Sequence, residues 1–414
     1  MTHCDCQTTR RAFLRAGLAG AGFALGLPGL WGRAAFAQTA ATLAGPASGR
    51  ERVLVVVELA GGNDGLNTVA PVGHDVYRRL RPKLALKRES TLRLDDAFGL
   101  HPRAVGLANL FERGRLAIVH GCGYPEPDRS HFTAMRYWHT AAPHRGEERG
   151  WVGRAADALW PAGRKAALVS LGEQESLALR SQHQGAIVFA DPDAYQRNGD
   201  PGAAALYAKL VGEGASRRET LDFVRQVARV ASETSEQVRA ATARYRTSVS
   251  YGTPFPTITR DLRNVAALVA ADFPARVYYL SFSGFDTHSA QTERQQLLLQ
   301  YLADALEGFQ KDLDRIGRAS NVLVLAFSEF GRRVEENASG GTDHGTAGPM
   351  FLVGAPVIGG LHGTFPDLAD LDDGDLRFTM DFRRVYATAL AWLGVETPGA
   401  LLGGEFEPLA VLRA

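Results

Sequence analysis

The sequence predicts an α/β fold with three layers: a mainly parallel central sheet covered by helices on both faces. Strands buried on both faces read as almost continuous β-branched and aromatic runs, and three such runs occupy residues 53–59, 276–282 and 321–327. Long amphipathic stretches separate them, the clearest at 291–316, where leucine and aromatic residues recur at helical spacing. Strands that alternate with long helices are typical of parallel sheets.

The remaining elements follow from the same patterns. Shorter apolar runs predict strands at 116–120, 167–171, 186–189 and 349–353. Helical spacing predicts helices at 101–113, 132–140, 217–246, 258–271 and 381–393. We interpret the region of about 195–272 as a small helical insertion beside the sheet, within one domain spanning 51–414.

The first 37 residues have the features of an export signal. Arg10 and Arg11 precede an uncharged, weakly apolar stretch at 16–30, and Ala35-Phe36-Ala37 fits a cleavage site. Paired arginines favour the twin-arginine route, with that translocase as a partner and a periplasmic or extracellular destination. The alternative is an uncleaved anchor, but the stretch is shorter than the roughly 20 residues that span a bilayer. Residues 38–50 are predicted to be a linker.

Charge and cysteine content exclude several classes of function. The net charge is +1 at pH 7, and removal of residues 1–37 leaves the chain close to neutral, which gives no electrostatic case for nucleic-acid or anionic-membrane binding. No later stretch is long and apolar enough for stable membrane insertion. Cys4 and Cys6 leave with the signal, so the remaining Cys122 has no intramolecular disulfide partner and is predicted to be a buried small residue.

Six carboxylate and imidazole side chains follow predicted strands or lie in loops joined to them. Because the carboxyl ends of parallel strands share one edge, residues distant in sequence converge there. Carboxylates placed together repel one another unless a cation neutralises them. Mixed carboxylate and imidazole ligands suit zinc or manganese, with one or two ions. The predicted metal ligands are Asp64, Asp286, His288, Glu329, Asp343 and His344. No GxGxxG motif follows the first strand, so no dinucleotide cofactor is expected.

Several residues near these ligands allow two interpretations. Ser130, where a turn-rich loop meets a helix, is either a helix cap or a nucleophile beside free backbone N–H groups. Asp64 is either a ligand or the cap of a turn or helix. Arg129 and Arg332 are either clamps for an anionic group or ion-pair partners. His131 is either structural or a proton-transfer group.

The order of five motifs gives a family resemblance. The motifs that carry the resemblance are, in order, GGNDGLNT, RSHF, FDTH, SEFGR and TDHGTAGPMFLVG. Over about residues 51–395 the chain resembles a family of exported bacterial proteins of unassigned function. That family is similar to a branch of the alkaline phosphatase and sulfatase superfamily, which implies an alkaline-phosphatase-like sandwich.

The resemblance also implies roles for individual residues. Asp64 matches the first-strand metal aspartate, and Ser130 matches the nucleophile. The pair Asp286 and His288 matches a metal-binding pair, and His344, with Asp343 beside it, matches a late histidine. Glu329 falls where an Asp-His pair is usual, with Phe330 in the place of that histidine, so a single ion and a pair of ions both remain open.

These observations lead to two hypotheses. The first is an exported, metal-dependent hydrolase or transferase that acts through Ser130 on a phosphate or related ester of a small molecule or polymer. The motif that converts a sulfatase cysteine to formylglycine is incomplete after Cys122, so an ordinary sulfatase mechanism is not expected. The alternative is a non-catalytic exported binding or assembly protein that retains the fold.

Overall fold

The computed structural model describes residues 51–195, 219–254 and 256–413. The predicted signal peptide at 1–37 and linker at 38–50 lie outside the described residues, as does part of the predicted helical insertion, residues 196–218.

Within the described residues the main sheet has nine strands, in the spatial order β8-β2-β7-β6-β1-β5-β3-β4, with β9 also paired to β2. The strands are β1 (Val53–Ala60), β2 (Leu116–Gly123), β3 (Leu168–Leu171), β4 (Ala186–Phe189), β5 (Val277–Ser283), β6 (Val322–Phe327), β7 (Gly348–Val353), β8 (Gly360–His362) and β9 (Met380–Asp381). All neighbouring pairs are parallel except those that β7 makes with β2 and β6.

The α-helices of the described residues are α1 (Gly65–Thr68), α2 (Asp75–Leu80), α3 (Val105–Glu112), α4 (His131–Thr140), α5 (Trp151–Leu159), α6 (Glu219–Arg244), α7 (Thr257–Ala270), α8 (Gln291–Arg315), α9 (Phe382–Leu393) and α10 (Pro398–Leu401). Short 3₁₀ turns occupy Arg88–Ser90, Leu177–Leu179 and Ala319–Asn321. None of the helices in these parts of the chain combines the length and the apolar character needed to cross a bilayer.

Two smaller sheets lie outside the main one. Val69–Ala70, Gly99–Leu100 and Leu92–Arg93 form a three-stranded sheet, and Leu371–Asp372 pairs with Asp375–Leu376 in a hairpin.

The alternation of side chains along β1 separates the hydrophobic core into two layers. Val53, Val55, Val57 and Leu59 pack with α3, α7 and α8 on one face of the sheet. Leu54 and Val56 pack on the opposite face with α4, α5 and α9, and we call this the α4 face. The arrangement is a three-layer α/β/α sandwich, so the predicted fold class is confirmed.

Most predicted elements are present, and the structure adds elements that the patterns did not predict, among them α1, α2, α5, β8 and β9. Three further differences concern direction, bounds and the end of the chain. β7 runs antiparallel to its neighbours, a direction that an apolar run alone does not specify. The helix predicted at 101–113 begins at Val105, because His101 forms a turn in which its Nδ1 accepts from the backbone N–H of Arg103. A further short helix, Pro398–Leu401, follows the helix predicted to close the chain.

Candidate metal centre

The loops that follow β1, β5 and β6 meet at one edge of the sheet, because these three strands are parallel neighbours. Gly61 and Gly62 make the close approach possible after β1, with φ angles of +121° and +78° that disfavour other residues. A Cβ on Gly61 would lie 2.4 Å from the backbone nitrogen of Asp286. The chain therefore needs glycine here to bring the β1 and β5 loops together.

Three side chains at this edge converge as metal ligands would. His131, Asp286 and His344 each offer one ligand atom, and these atoms lie within 4.8 Å of one another. His131 Nε2 lies 3.5 Å from Asp286 Oδ2, and His344 Nε2 lies 3.2 Å from Asp286 Oδ1. The group joins the start of α4, the β5 loop and the loop before β7.

The two imidazoles in this group are held by their other nitrogen. His131 Nδ1 donates to Glu329 Oε1 at 2.8 Å, and His344 Nδ1 donates to the carbonyl oxygen of Arg129 at 2.8 Å. In each neutral ring Nε2 then carries no proton, and its lone pair is directed towards the other members of the group. Metal-binding histidines are oriented by outer partners in this way.

His288 and Asp343 extend the same arrangement. His288 Nδ1 lies 3.0 Å from Asp343 Oδ1, which also accepts from Asn337 Nδ2 at 3.1 Å. His288 Nε2 lies 2.9 Å from His344 Nε2 and 3.1 Å from Asp286 Oδ1. His288 therefore adjoins the group as a fourth potential ligand, and Asp343 orients His288 from behind.

The electrostatics of Asp286 and His344 favour ligation, whereas the raised pKa of His131 favours an imidazolium whose proton a metal would have to displace. Partial burial raises the pKa of Asp286, but the hydrogen bond from Arg332 and the positive charge of that guanidinium outweigh it and lower that pKa to about 2. Burial lowers the pKa of His344 and so favours the neutral imidazole that a metal requires. The hydrogen bond to Glu329 raises the pKa of His131. Neutral imidazole nitrogens and an ionised carboxylate are a donor set that fits zinc or manganese.

Glu329 lies behind the ligand group, in contact with the side chain of His131. Its carboxylate is buried, accepts from the backbone N–H of Gly61 at 2.8 Å and orients His131. Its neighbour Phe330 packs against His131 and His344, with ring centroids 5.0 and 4.6 Å away. Phe330 thus packs as an apolar wall against both histidine rings.

Arg332 is buried and holds the loops of the site together. Its guanidinium donates to the carbonyl oxygens of Gly61, Gly62 at 2.7 Å, Phe285 at 3.0 Å and Thr342 at 2.8 Å, and to Asp286 Oδ1 at 2.8 Å. These contacts make Arg332 a positioning residue for Asp286. Its guanidinium nitrogens, which an anion clamp would use, already donate to protein oxygens.

Asp64 lies apart from the ligand group. Its Oδ2 accepts from Arg81 Nη1 at 2.6 Å, in a pair whose side chains are both 0% exposed. Its Oδ1 accepts from the backbone N–H of Leu66 at 3.2 Å, which makes Asp64 the N-cap of α1. Gln291 Nε2 also donates to Oδ2, at 2.5 Å. Asp64 therefore has the geometry of a helix cap, and protein donors contact both of its carboxylate oxygens.

Ser130 and Arg129 precede α4. Ser130 is exposed and takes the N-cap position, but its hydroxyl makes no capping hydrogen bond. The side chain of Arg129 pairs with the buried Asp375, and with Asp373 at 3.6 Å. Arg129 therefore contributes its carbonyl oxygen to the site, while its guanidinium holds the hairpin at 371–376.

His131 is the candidate ligand that the sequence interpretation underweighted. The RSHF motif placed it directly after the candidate nucleophile, yet a histidine in a first helical turn has no distinctive spacing to other ligands. Cys122 is buried as predicted, and burial raises the pKa of its thiol.

A family model described as "Protein of unknown function (DUF1501)" matches residues 51–398. The chain belongs to this family. Membership of a family of unassigned function, predicted from the motifs, is thereby confirmed. A search of curated proteins found no significant match.

Solved structures with a similar fold come from the alkaline phosphatase superfamily and from named enzymes. One is a protein of that superfamily from Vibrio parahaemolyticus, with 10% identity over 94% of this chain and 81% of that chain and a TM-score of 0.38. A PsFucS1 sulfatase from Pseudoalteromonas sp. has 11% identity over 88% of this chain and 74% of that chain, with a TM-score of 0.37. The lipoteichoic acid synthase LtaP from Listeria monocytogenes has 10% identity over 84% of this chain and 73% of that chain, with a TM-score of 0.34.

Proposed function

We propose that this protein is a metal-dependent hydrolase or transferase that acts on a phosphate or related ester of a small molecule or polymer. The observation that carries the proposal is the convergence of His131, Asp286 and His344, whose ligand atoms lie within 4.8 Å of one another. Their outer partners orient them as metal ligands are oriented.

A single ion, zinc or manganese, is the version that the geometry supports. Asp64 is paired with Arg81, and Glu329 is held by His131 and Gly61, so neither adds a ligand for a second ion. Three protein ligands, with His288 beside them, leave a position open, as catalytic zinc sites do. A bound ion would supply positive charge for the oxygens of the ester group.

The residues around the ligands have separate tasks. Glu329 and Asp343 fix the orientation of His131 and His288. Arg332 holds Asp286 in place and stabilises its ionised form. Ser130, at the start of α4, would attack the ester group at a place where the free N–H groups of the first helical turn favour an anion. The bond to the alcohol of the ester would break, that alcohol would leave with the serine proton, and water or an acceptor alcohol would then release the group from the serine.

Ser130→Ala is expected to lower kcat by at least roughly 10³-fold, because it removes the nucleophile. Stability should stay within about 0.5 kcal/mol of the wild type, since the hydroxyl makes no capping bond to lose. Kinetics of the zinc-loaded protein and urea denaturation measure both quantities. Ser320→Ala, at an exposed serine near the opposite edge of the sheet, is the control.

The assay is a screen of phosphate and related esters with the zinc- or manganese-loaded protein. Full activity in Ser130→Ala would remove the serine from the mechanism while leaving the metal site intact. If the metal-loaded wild type turns over no ester, the alternative of a non-catalytic binding or assembly protein takes its place.

We also propose export by the twin-arginine route to the periplasm or beyond. Support comes from Arg10, Arg11 and the small-residue site at Ala35-Phe36-Ala37. Mass spectrometry of protein from the native host is expected to find a mature N-terminus near Gln38. An intact Met1 in the exported fraction would contradict cleavage.

A further inference from the structure

Beside the candidate metal centre, the carboxyl end of β5 is open to solvent on the α4 face of the sheet. Ser281 and Ser283 are exposed although both lie in β5. Alternate residues of a strand share a face, so they continue the line of Val277 and Tyr279, which are buried in the α4-face core. The helical layer therefore stops short of the carboxyl end of β5 and leaves Ser281 and Ser283 uncovered. We call this uncovered strip of the sheet the groove.

A buried carboxylate lies under this floor. Ser281 Oγ donates to Glu58 Oε1 at 3.0 Å, and His139 Nε2 lies 2.7 Å from Glu58 Oε2, which also accepts from the hydroxyl of Tyr279. Burial raises the pKa of Glu58, but the hydrogen bonds from His139, Tyr279 and Ser281 outweigh it and lower the pKa. The carboxylate is thus ionised and held by three donors, two on β5 and one on α4.

Ser281 presents an acceptor at the surface of the groove. Its proton is donated to Glu58, so the lone pairs of its oxygen are left for a ligand. The negative charge of Glu58 beneath it favours a hydrogen-bond donor and disfavours a second anionic group. Hydroxyl groups are neutral donors that meet both conditions.

Helix α4 connects the groove to the metal centre. His131 contacts Asp286 at one end, and His139, eight residues later, contacts Glu58. Eight residues of helix span about 12 Å, the length of one or two sugar-sized groups. Phe132, the neighbour of His131, is 92% exposed, which is unusual for an aromatic side chain beside a polar site.

We propose that the groove of Ser281, Ser283, Glu58 and His139 binds a neutral, hydroxyl-rich group that is esterified to the group held at the metal centre. This proposal rests on the proposed function, because the metal centre has to hold the phosphate or related group of the same ligand. It adds the substrate class, which is polyol or sugar esters in preference to esters that carry a second anion.

The test compares two ligands by calorimetry, inorganic phosphate and glucose 6-phosphate, with the zinc-loaded protein carrying Ser130→Ala so that the ester is not turned over during the titration. We expect glucose 6-phosphate to bind about tenfold more tightly, equivalent to one or two net hydrogen bonds. Ser281→Phe, which fills the groove, and Ser281→Ala, which removes the acceptor, should abolish that advantage and leave phosphate affinity unchanged. Ser320→Phe, at the opposite edge, should retain it.

Equal affinity for the two ligands, or an advantage that survives in both Ser281 variants, would overturn the groove and leave the metal proposal standing. If the wild type binds neither zinc nor phosphate, the proposed function fails, and free glucose becomes the probe. Glucose binding that Ser281→Phe abolishes would then support the groove, and absence of glucose binding would overturn it as well.

Discussion

Asp64→Ala is expected to lower the free energy of unfolding by about 3–5 kcal/mol, because it leaves the buried guanidinium of Arg81 without its charged partner. The substitution also removes the cap of α1 and an acceptor for Gln291. Urea denaturation measures the loss. Zinc stoichiometry should be unchanged in the fraction that remains folded, since Asp64 is not among the converging ligands.

Asp75→Ala is the matched control for this prediction. Asp75 also pairs with an arginine, Arg78, but its side chain is 88% exposed, so the loss should stay below about 1 kcal/mol. A stable Asp64→Ala variant that no longer binds zinc would reverse the assignment and return Asp64 to the ligand set.

His344→Ala is expected to weaken zinc binding by more than about 100-fold, since the loss of an outer partner alone costs roughly 10–100-fold. The substitution removes one of the three converging ligand atoms and the contact of His288 Nε2 with the group. Competition titration with a zinc chelator measures the affinity. His362→Ala, at a half-buried histidine whose Nε2 lies 3.0 Å from the carbonyl oxygen of Ile358, is the control.

Glu329→Gln should give an intermediate loss of roughly 10–100-fold, because glutamine preserves the size of the side chain but weakens its hold on His131. Glu335→Gln, at an exposed glutamate in the same loop, should behave as the wild type. Unchanged affinity in both His344→Ala and Glu329→Gln would exclude this group as the metal site.

The sequence was a good guide to the fold because β1, β6 and the first four residues of β5 are buried on both faces and their composition leaves few alternatives. The sequence did not predict the direction of β7, because the apolar run from Pro349 to Val353 suits a parallel and an antiparallel strand equally well. The direction depends on where the preceding loop returns to the sheet.

The sequence predicted where the candidate metal site lies, but it predicted only some of the residues that form it. Asp286, His288 and His344 follow from strand ends and motif order, and the structure brings them together. Asp64 follows a strand end equally well, but Arg81, seventeen residues later, reaches it from a loop that no periodicity places. His131 depends on how α4 is set against β6, which is a tertiary property.

The central claim is that His131, Asp286 and His344 hold one divalent ion. Anomalous diffraction at the zinc absorption edge, from crystals of the zinc-loaded protein, tests it most directly. The expected result is a single peak bounded by these three side chains, within about 2.0–2.2 Å of the ligand atoms. No peak at this edge of the sheet, or a peak at Asp64, would contradict it.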